Sequence, residues 1–345
     1  MHIFGGCYTA SVTPMTKAGK VDYEGLRRLV EFQVEEGVSG VLAVGTTGES
    51  PTLGWDEHID VIREVHERVG ERGLTIAGTG SNSTEEALKA TEHAADFGVR
   101  CILLVDPYYN GPSSLEIRKE YIEPIASRFP EVQVIPYVIP GRTGTQLLPQ
   151  DLAVLHSSYE NVKAVKEATG NLENMRLTRR LCGEDFDILS GDDDKTYTMM
   201  TDPEIGARGV ISVASNVAPR AVQRLTQSIL EGKMDEASRL YDALKPLFSM
   251  VTVKTEEETP YGPALCKARN PLPYKTLMNI LGMPSGPCRR PLGKMTKKGL
   301  DTVLKTIRTV YERNPEILEP IERFFDVDLG ERLYNEESWR GLTYG

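Results

Sequence analysis

The chain has 345 residues, 40% of them hydrophobic, enough for about two domains or one large barrel with a sizeable core. Its 40 Lys+Arg against 50 Asp+Glu leave a net charge of -10, which opposes attraction to phosphate backbones and anionic membrane surfaces, so neither nucleic acid nor membrane is expected as a partner. No apolar run approaches the roughly 18 residues of a membrane span, Met1–Ala10 lacks the basic head and apolar stretch of a secretory signal, and five scattered cysteines form no C-x-x-C pair; a cytoplasmic protein without disulfides or a zinc site is expected.

Short β-rich apolar runs recur along the chain, each ending near Gly, Pro or a polar cluster. They fall at Cys7–Val12, Val41–Val44, Leu74–Ala77, Cys101–Val105, Val132–Tyr137, Val162–Lys166, Phe186–Ser190 and Arg208–Val213, a step of about 29 residues. Helical patterns lie between them. Asp22 opens a segment with Leu26, Leu29, Val30 and Val34 on one face, closed by Gly37, and Ser83 with Glu86 has the spacing of a capping box. Eight such units close most simply into a (β/α)8 TIM barrel, since each crossover is right-handed and both sheet faces become covered; an open doubly wound sheet is the alternative.

The barrel core is assigned to residues 1–219, its eighth helix continuing to about 232, with a C-terminal helical region over 233–312. Helices are expected over Arg220–Ile229, Asp235–Phe248, Tyr274–Leu281 and Lys297–Arg313, and the polar, turn-rich segment Val251–Pro263 is read as a loop. The tail 313–345 carries Phe324, Phe325, Tyr334, Trp339 and Tyr344 among many charges, so it either docks by its aromatics or frays.

In such a barrel the C-terminal strand ends and the loops after them build the active site. Gly45-Thr46-Thr47-Gly48-Glu49-Ser50 follows the second strand and Pro107-Tyr108-Tyr109-Asn110 the fourth. Tyr137 ends the fifth ahead of Arg142, Lys166 ends the sixth, and Gly191-Asp192-Asp193-Asp194 follow the seventh. Strand alternation puts Val162, Ala164 and Lys166 on one face; if that face is the barrel interior, an amine enters a low-dielectric pocket. A free lysine with pKa about 10.4 is neutral in roughly one molecule per thousand near pH 7.4, equivalent to about 4 kcal/mol against nucleophilic attack. Desolvation and a nearby cation such as Arg142 both disfavour the ammonium and would yield an amine suited to a Schiff base with a ketone. A snorkelling or salt-bridged lysine is the commoner occupant of a strand end, so position alone does not decide. Arg142 offers a planar fork for a substrate carboxylate, or for an acidic neighbour. Tyr137 could pass protons with Thr46, Thr47 and Tyr109 as relay hydroxyls, although single tyrosines more often simply pack.

Other signals fail. Gly78-Thr79-Gly80-Ser81-Asn82-Ser83 lacks the third glycine of a dinucleotide fingerprint, no P-loop occurs, and His58 and His66 lack H-E-x-x-H spacing. The acids Asp192–Asp194 are read as an N-terminal cap for the following helix rather than a magnesium site. No cofactor and no metal are expected.

Six fragments then occur together: GTTGES (Gly45–Ser50), PYY (Pro107–Tyr109), P-Y-x-x-P-x-R-T-G (Pro136–Gly144), KEATGN (Lys166–Asn171), SGDD (Ser190–Asp193) and GVISV (Gly209–Val213). In order and spacing the chain resembles the dihydrodipicolinate synthase family over about residues 3–310, a branch of the class I lysine-dependent aldolases that include N-acetylneuraminate lyase and 2-keto-3-deoxygluconate aldolase. The resemblance implies that Lys166 forms a Schiff base with pyruvate and that Tyr137 passes protons. Thr46 and Tyr109 would complete the relay, Tyr109 reaching into a neighbouring subunit of a homotetramer built from tight dimers. Thr47, Gly191 and Ile211 would line the pyruvate side, while Arg142 holds the carboxylate of L-aspartate 4-semialdehyde.

The implied product is 4-hydroxy-tetrahydrodipicolinate, on the route to diaminopimelate and lysine, and the protonated imine is the only electron sink required. Ser50, Trp55, His58, Asn82, Glu86 and Tyr108 match family positions of a lysine effector cleft. Three departures stand out: Val138 replaces the usual asparagine, residues 251–263 look inserted, and the tail beyond about 312 is extra. The alternatives are a 2-keto-3-deoxygluconate aldolase or N-acetylneuraminate lyase on the same scaffold and, from another class, a non-catalytic small-molecule sensor.

Overall fold

The computed structural model describes residues 2–344. Eight parallel strands, β1 (Gly6–Ala10), β2 (Gly40–Ala43), β3 (Leu74–Gly78), β4 (Cys101–Val105), β5 (Gln133–Val138), β6 (Ala164–Glu167), β7 (Asp187–Ser190) and β8 (Gly209–Ser212), pair in chain order, and β8 pairs back onto β1 to close a barrel. At that seam a Cβ on Gly209 would collide with the carbonyl oxygen of Gly6, so closure there depends on a residue without a side chain.

Period-two alternation sorts the strand side chains into two environments. Tyr8, Leu42, Ile76, Leu103, Ile135, Tyr137, Ala164, Leu189 and Ile211 fill the barrel interior. Their neighbours Val41, Ala43, Ile102, Leu104, Val134, Val138, Val165 and Ile188 face outward against the helices. Val162, expected on the face of Lys166, instead joins the outward group, because β6 begins only at Ala164 and alternation holds only within a strand. The crossover helices start and stop as the chain signals. The Asp22 carboxylate accepts from the Gly25 amide at the head of the helix Tyr23–Glu35, and Ser83 caps the helix Thr84–Asp96. The capping box there is only half formed: the Glu86 carboxylate accepts from the Ser81 hydroxyl instead of returning to the Ser83 amide.

A second apolar core lies on the β1–β8 side. It joins Phe32 of the first helix and Leu225 of the helix Pro219–Leu230 to the helices Met234–Ser249, Leu272–Leu281 and Lys297–Arg313. The tail docks on it as the short helices Glu319–Phe325 and Leu329–Tyr334. The Phe32 ring meets Phe325 at 5.1 Å and Phe324 at 5.3 Å between centroids, Arg323 donates to Glu36 at 2.7 Å, and Leu329 and Leu333 are buried. Tyr334 and Tyr344 stay exposed, so Phe325 together with the aliphatic Ile317, Leu318, Ile321, Leu329 and Leu333, not the whole aromatic set, buries the tail.

Residues Val251–Pro263, expected as a loop, instead form β9 (Thr252–Thr259) and the start of β10 (Gly262–Arg269), which pair as an antiparallel hairpin. Its outer part has little apolar burial to advertise a strand; its own ladder and a narrow base hold it. Val253 and Ala268 are buried, the Thr255 and Thr296 hydroxyls lie 3.4 Å apart, and Lys298 donates to the Glu256 carbonyl, so one hairpin face rests on the helix Lys297–Arg313.

Candidate active site

Tyr137 and Lys166 sit in register on adjacent strands at the C-terminal ends of β5 and β6. Both side chains are buried, and the Lys166 Nζ lies 4.2 Å from the centre of the Tyr137 ring. Burial lowers the lysine from 10.5 to about 8; the carboxylates of Asp192 and Asp193 pull against that and Arg142 adds to it. Burial also drives the Tyr137 phenol well up, with Arg142 and the Thr46 hydroxyl opposing, so the phenol keeps its proton near neutral pH. A neutral amine is therefore accessible beside a phenol that can give a proton and take it back.

Lys166 and Tyr137 line a cavity of about 380 Å³ together with Thr46, Thr47, Gly191 and Asp192. Gly191 is required by close approach: a Cβ there would lie 2.8 Å from the Ala168 Cβ and 3.3 Å from the Lys166 Cε. Burial raises Asp192 to about 6, with Asp194 adding to the rise and Lys166 opposing it. Arg142 stands at the mouth with accessible surface and donates to the Asn270 carbonyl at 3.3 Å. Crowding of its head by protein, with the charge of Arg269, lowers its pKa, while Tyr137 and Asp192 oppose. Ile211 is buried in the barrel interior and does not border this cavity. Tyr109 is 86% exposed and borders no part of it within its own protomer.

Two residues were missed by sequence reasoning. Asn270 is buried between the hairpin and the helix Leu272–Leu281, and its Nδ2 donates to the Thr47 hydroxyl at 2.9 Å; the Asn-Pro dipeptide marked only a turn. Asp193 is buried as well, and its carboxylate accepts from the Ser212 hydroxyl and from the Val213 and Ala214 amides at 3.0 Å each. The acidic run was expected to cap its own helix. Asp193 instead caps the turn Ala214–Asn216, because the pairing of β7 with β8 brings the loops that follow them together.

A smaller cavity of about 210 Å³ adjoins this one, sharing Thr46, Tyr137 and Arg142 and reaching Ser50 and Tyr108. Of the other effector positions, Asn82 accepts from the Tyr108 amide at 2.6 Å and Glu86 is engaged with Ser81. Trp55 lies 5.0 Å from the buried His58 ring, which burial lowers to about 4.

Residues 3–310 match the Dihydrodipicolinate synthetase family. The chain belongs to that family. Among its relatives, the 4-hydroxy-tetrahydrodipicolinate synthase of Methanococcus maripaludis is 42% identical over 292 residues, 85% of this chain and 93% of that protein. The structure of the 4-hydroxy-tetrahydrodipicolinate synthase of the methanotroph Methylacidiphilum fumariolicum superposes with a TM-score of 0.82 at 35% identity, covering 93% of this chain and 99% of that one. The enzyme of Cyanidioschyzon merolae, solved with lysine bound, gives 0.81 at 34% identity over 90% and 99% of the two chains. With the family come the fold and the reaction class: a lyase of the class I pyruvate-aldolase type, acting as a 4-hydroxy-tetrahydrodipicolinate synthase in lysine and diaminopimelate biosynthesis. The relatives' shared name speaks against the sugar-acid aldolase and sialate lyase alternatives and against a non-catalytic sensor.

Proposed function

We propose that Lys166 carries the condensation of pyruvate with L-aspartate 4-semialdehyde. Its neutral amine adds to the pyruvate ketone; loss of water leaves an imine, and loss of a methyl proton gives the enamine. The enamine carbon bonds to the aldehyde carbon, and the substrate's own amine then displaces Lys166 and closes the ring. Tyr137 donates a proton to the hydroxyl that leaves as water and recovers the one lost from the methyl carbon, with Thr46 as its relay partner. Thr47, held by Asn270, and Gly191 border the pyruvate side of the cavity. Ile211 supports that floor from the barrel interior. Arg142 at the mouth takes the semialdehyde carboxylate. Tyr109 projects away from its own cavity, which suits a residue completing the relay in a neighbouring subunit of a cytoplasmic homotetramer of tight dimers. Ser50, Trp55, His58, Asn82, Glu86 and Tyr108 would form the lysine effector cleft at that dimer interface.

The observation that carries the reading is the buried Lys166 amine lying on the Tyr137 ring at the cavity floor. Incubation with pyruvate, borohydride reduction and peptide mass spectrometry should place the label on Lys166; an unlabelled Lys166 peptide refutes it.

A further inference from the structure

The hairpin does more than flank the cavity. Its two faces are assigned by pairing register: Val253 sits opposite Ala268 and Thr255 opposite Cys266 on the face that rests on the helix Lys297–Arg313. The other face carries Thr252 opposite Arg269 and Lys254 opposite Lys267, and all four border the cavity that holds Lys166.

Glu256 follows Lys254 on the same face of β9 but borders no part of the cavity. Like charges directly opposite on adjacent strands repel, and among the described residues neither Lys254, Lys267 nor Arg269 makes an ion pair. Arg269 is followed directly by Asn270, whose carbonyl is held by Arg142, so the hairpin charges continue the cationic mouth that Arg142 begins. Among the described residues, Asp192 is the one carboxylate bordering the cavity. Two β-strands thus present three exposed cations on the face that borders the cavity.

We propose that the hairpin adds an anion-binding subsite to the mouth of the Lys166 cavity, in which Lys254, Lys267 and Arg269 join Arg142 to seat the carboxylate end of the aldehyde acceptor. The proposal rests on the catalytic reading above and deepens it: the hairpin becomes the element that selects acceptors by negative charge at the end remote from the aldehyde. Lys254, Lys267 and Arg269 are positioning residues for the acceptor and take no part in imine formation.

The test is the full-length double variant Lys254→Ala/Lys267→Ala. The KM for aspartate semialdehyde should rise tenfold or more, while kcat and the KM for pyruvate stay within twofold. Inorganic phosphate should inhibit the parent competitively against the semialdehyde and lose most of that inhibition in the double variant. An unchanged semialdehyde KM with unchanged phosphate inhibition overturns the proposal, and so does an equal loss on both substrates, the mark of a merely structural hairpin. Should the double variant misfold, Lys254→Gln and Lys267→Gln singly carry the same readouts, at about threefold each. Failure of the catalytic reading is distinguishable: parent protein unlabelled by pyruvate and borohydride refutes that reading, while calorimetric phosphate binding to parent and variants still decides the subsite.

Discussion

Replacing Lys166 with methionine should destroy activity and make the protein more stable near neutral pH. Lys166 is buried at 5% exposure, and burial lowers it from 10.5 to about 8. At pH 7 the amine is mostly protonated in both the unfolded and the folded chain, so the folded state bears the whole difference, roughly 3 kcal/mol at about 1.4 kcal/mol per tenfold. That difference is already net of the ammonium's attraction to the Tyr137 ring at 4.2 Å, so an uncharged side chain of similar shape should gain about 3 kcal/mol. The sign of the pH dependence follows. Between about 8 and 10.5 the unfolded lysine still holds a proton that the folded one has shed, so the parent's stability rises with pH through that window. The advantage of Lys166→Met should therefore be full at pH 7, shrink from pH 8 upward and vanish near pH 10.5. Urea unfolding followed by circular dichroism at pH 7, 9 and 10.5, parent against variant, reads it directly. A variant less stable than the parent at pH 7, or a gap that ignores pH, would refute the idea that the site holds its amine at the expense of the fold.

Three further outcomes are expected. Tyr137→Phe should lower kcat by about 10² to 10⁴ while borohydride labelling of Lys166 by pyruvate persists, because the phenol moves protons and does not hold the imine. Lys275→Met should cost about 3–5 kcal/mol in urea unfolding, since it strands the buried Glu49 carboxylate that Lys275 meets at 2.6 Å; adding Glu49→Gln should restore part of the loss. Phe325→Ala should cost about 3 kcal/mol, read as a lowered unfolding midpoint, and expose the chain beyond Arg313 to limited proteolysis, with pyruvate labelling of Lys166 retained.

Much of the barrel was legible because each βα unit writes its own signals. Cys101–Val105 and Lys297–Arg313 match their predicted ranges, and the remaining strands differ by one or two residues at their ends. Lys166, Tyr137, Thr46, Thr47 and Gly191 could be drawn to one rim since barrel geometry puts every strand end there. The hairpin escaped detection because its strands satisfy each other's backbone and bury only Val253 and Ala268, leaving too weak an apolar pattern to register.

Local alternation, turn chemistry and the short fragments around Thr46, Tyr137 and Lys166 were thus determined by the sequence itself, since each depends on residues within one strand or the loop that follows it. Tertiary structure alone decided what those residues touch. Asn270 reaches Thr47 across 223 positions, Asp193 finishes a turn begun on β8, and Phe325 closes on Phe32, because the pairing of β7 with β8 and the docking of the C-terminal region set these contacts. The lowered pKa of Lys166 belongs to the same class: desolvation is a property of everything packed around an atom, and no stretch of chain carries it.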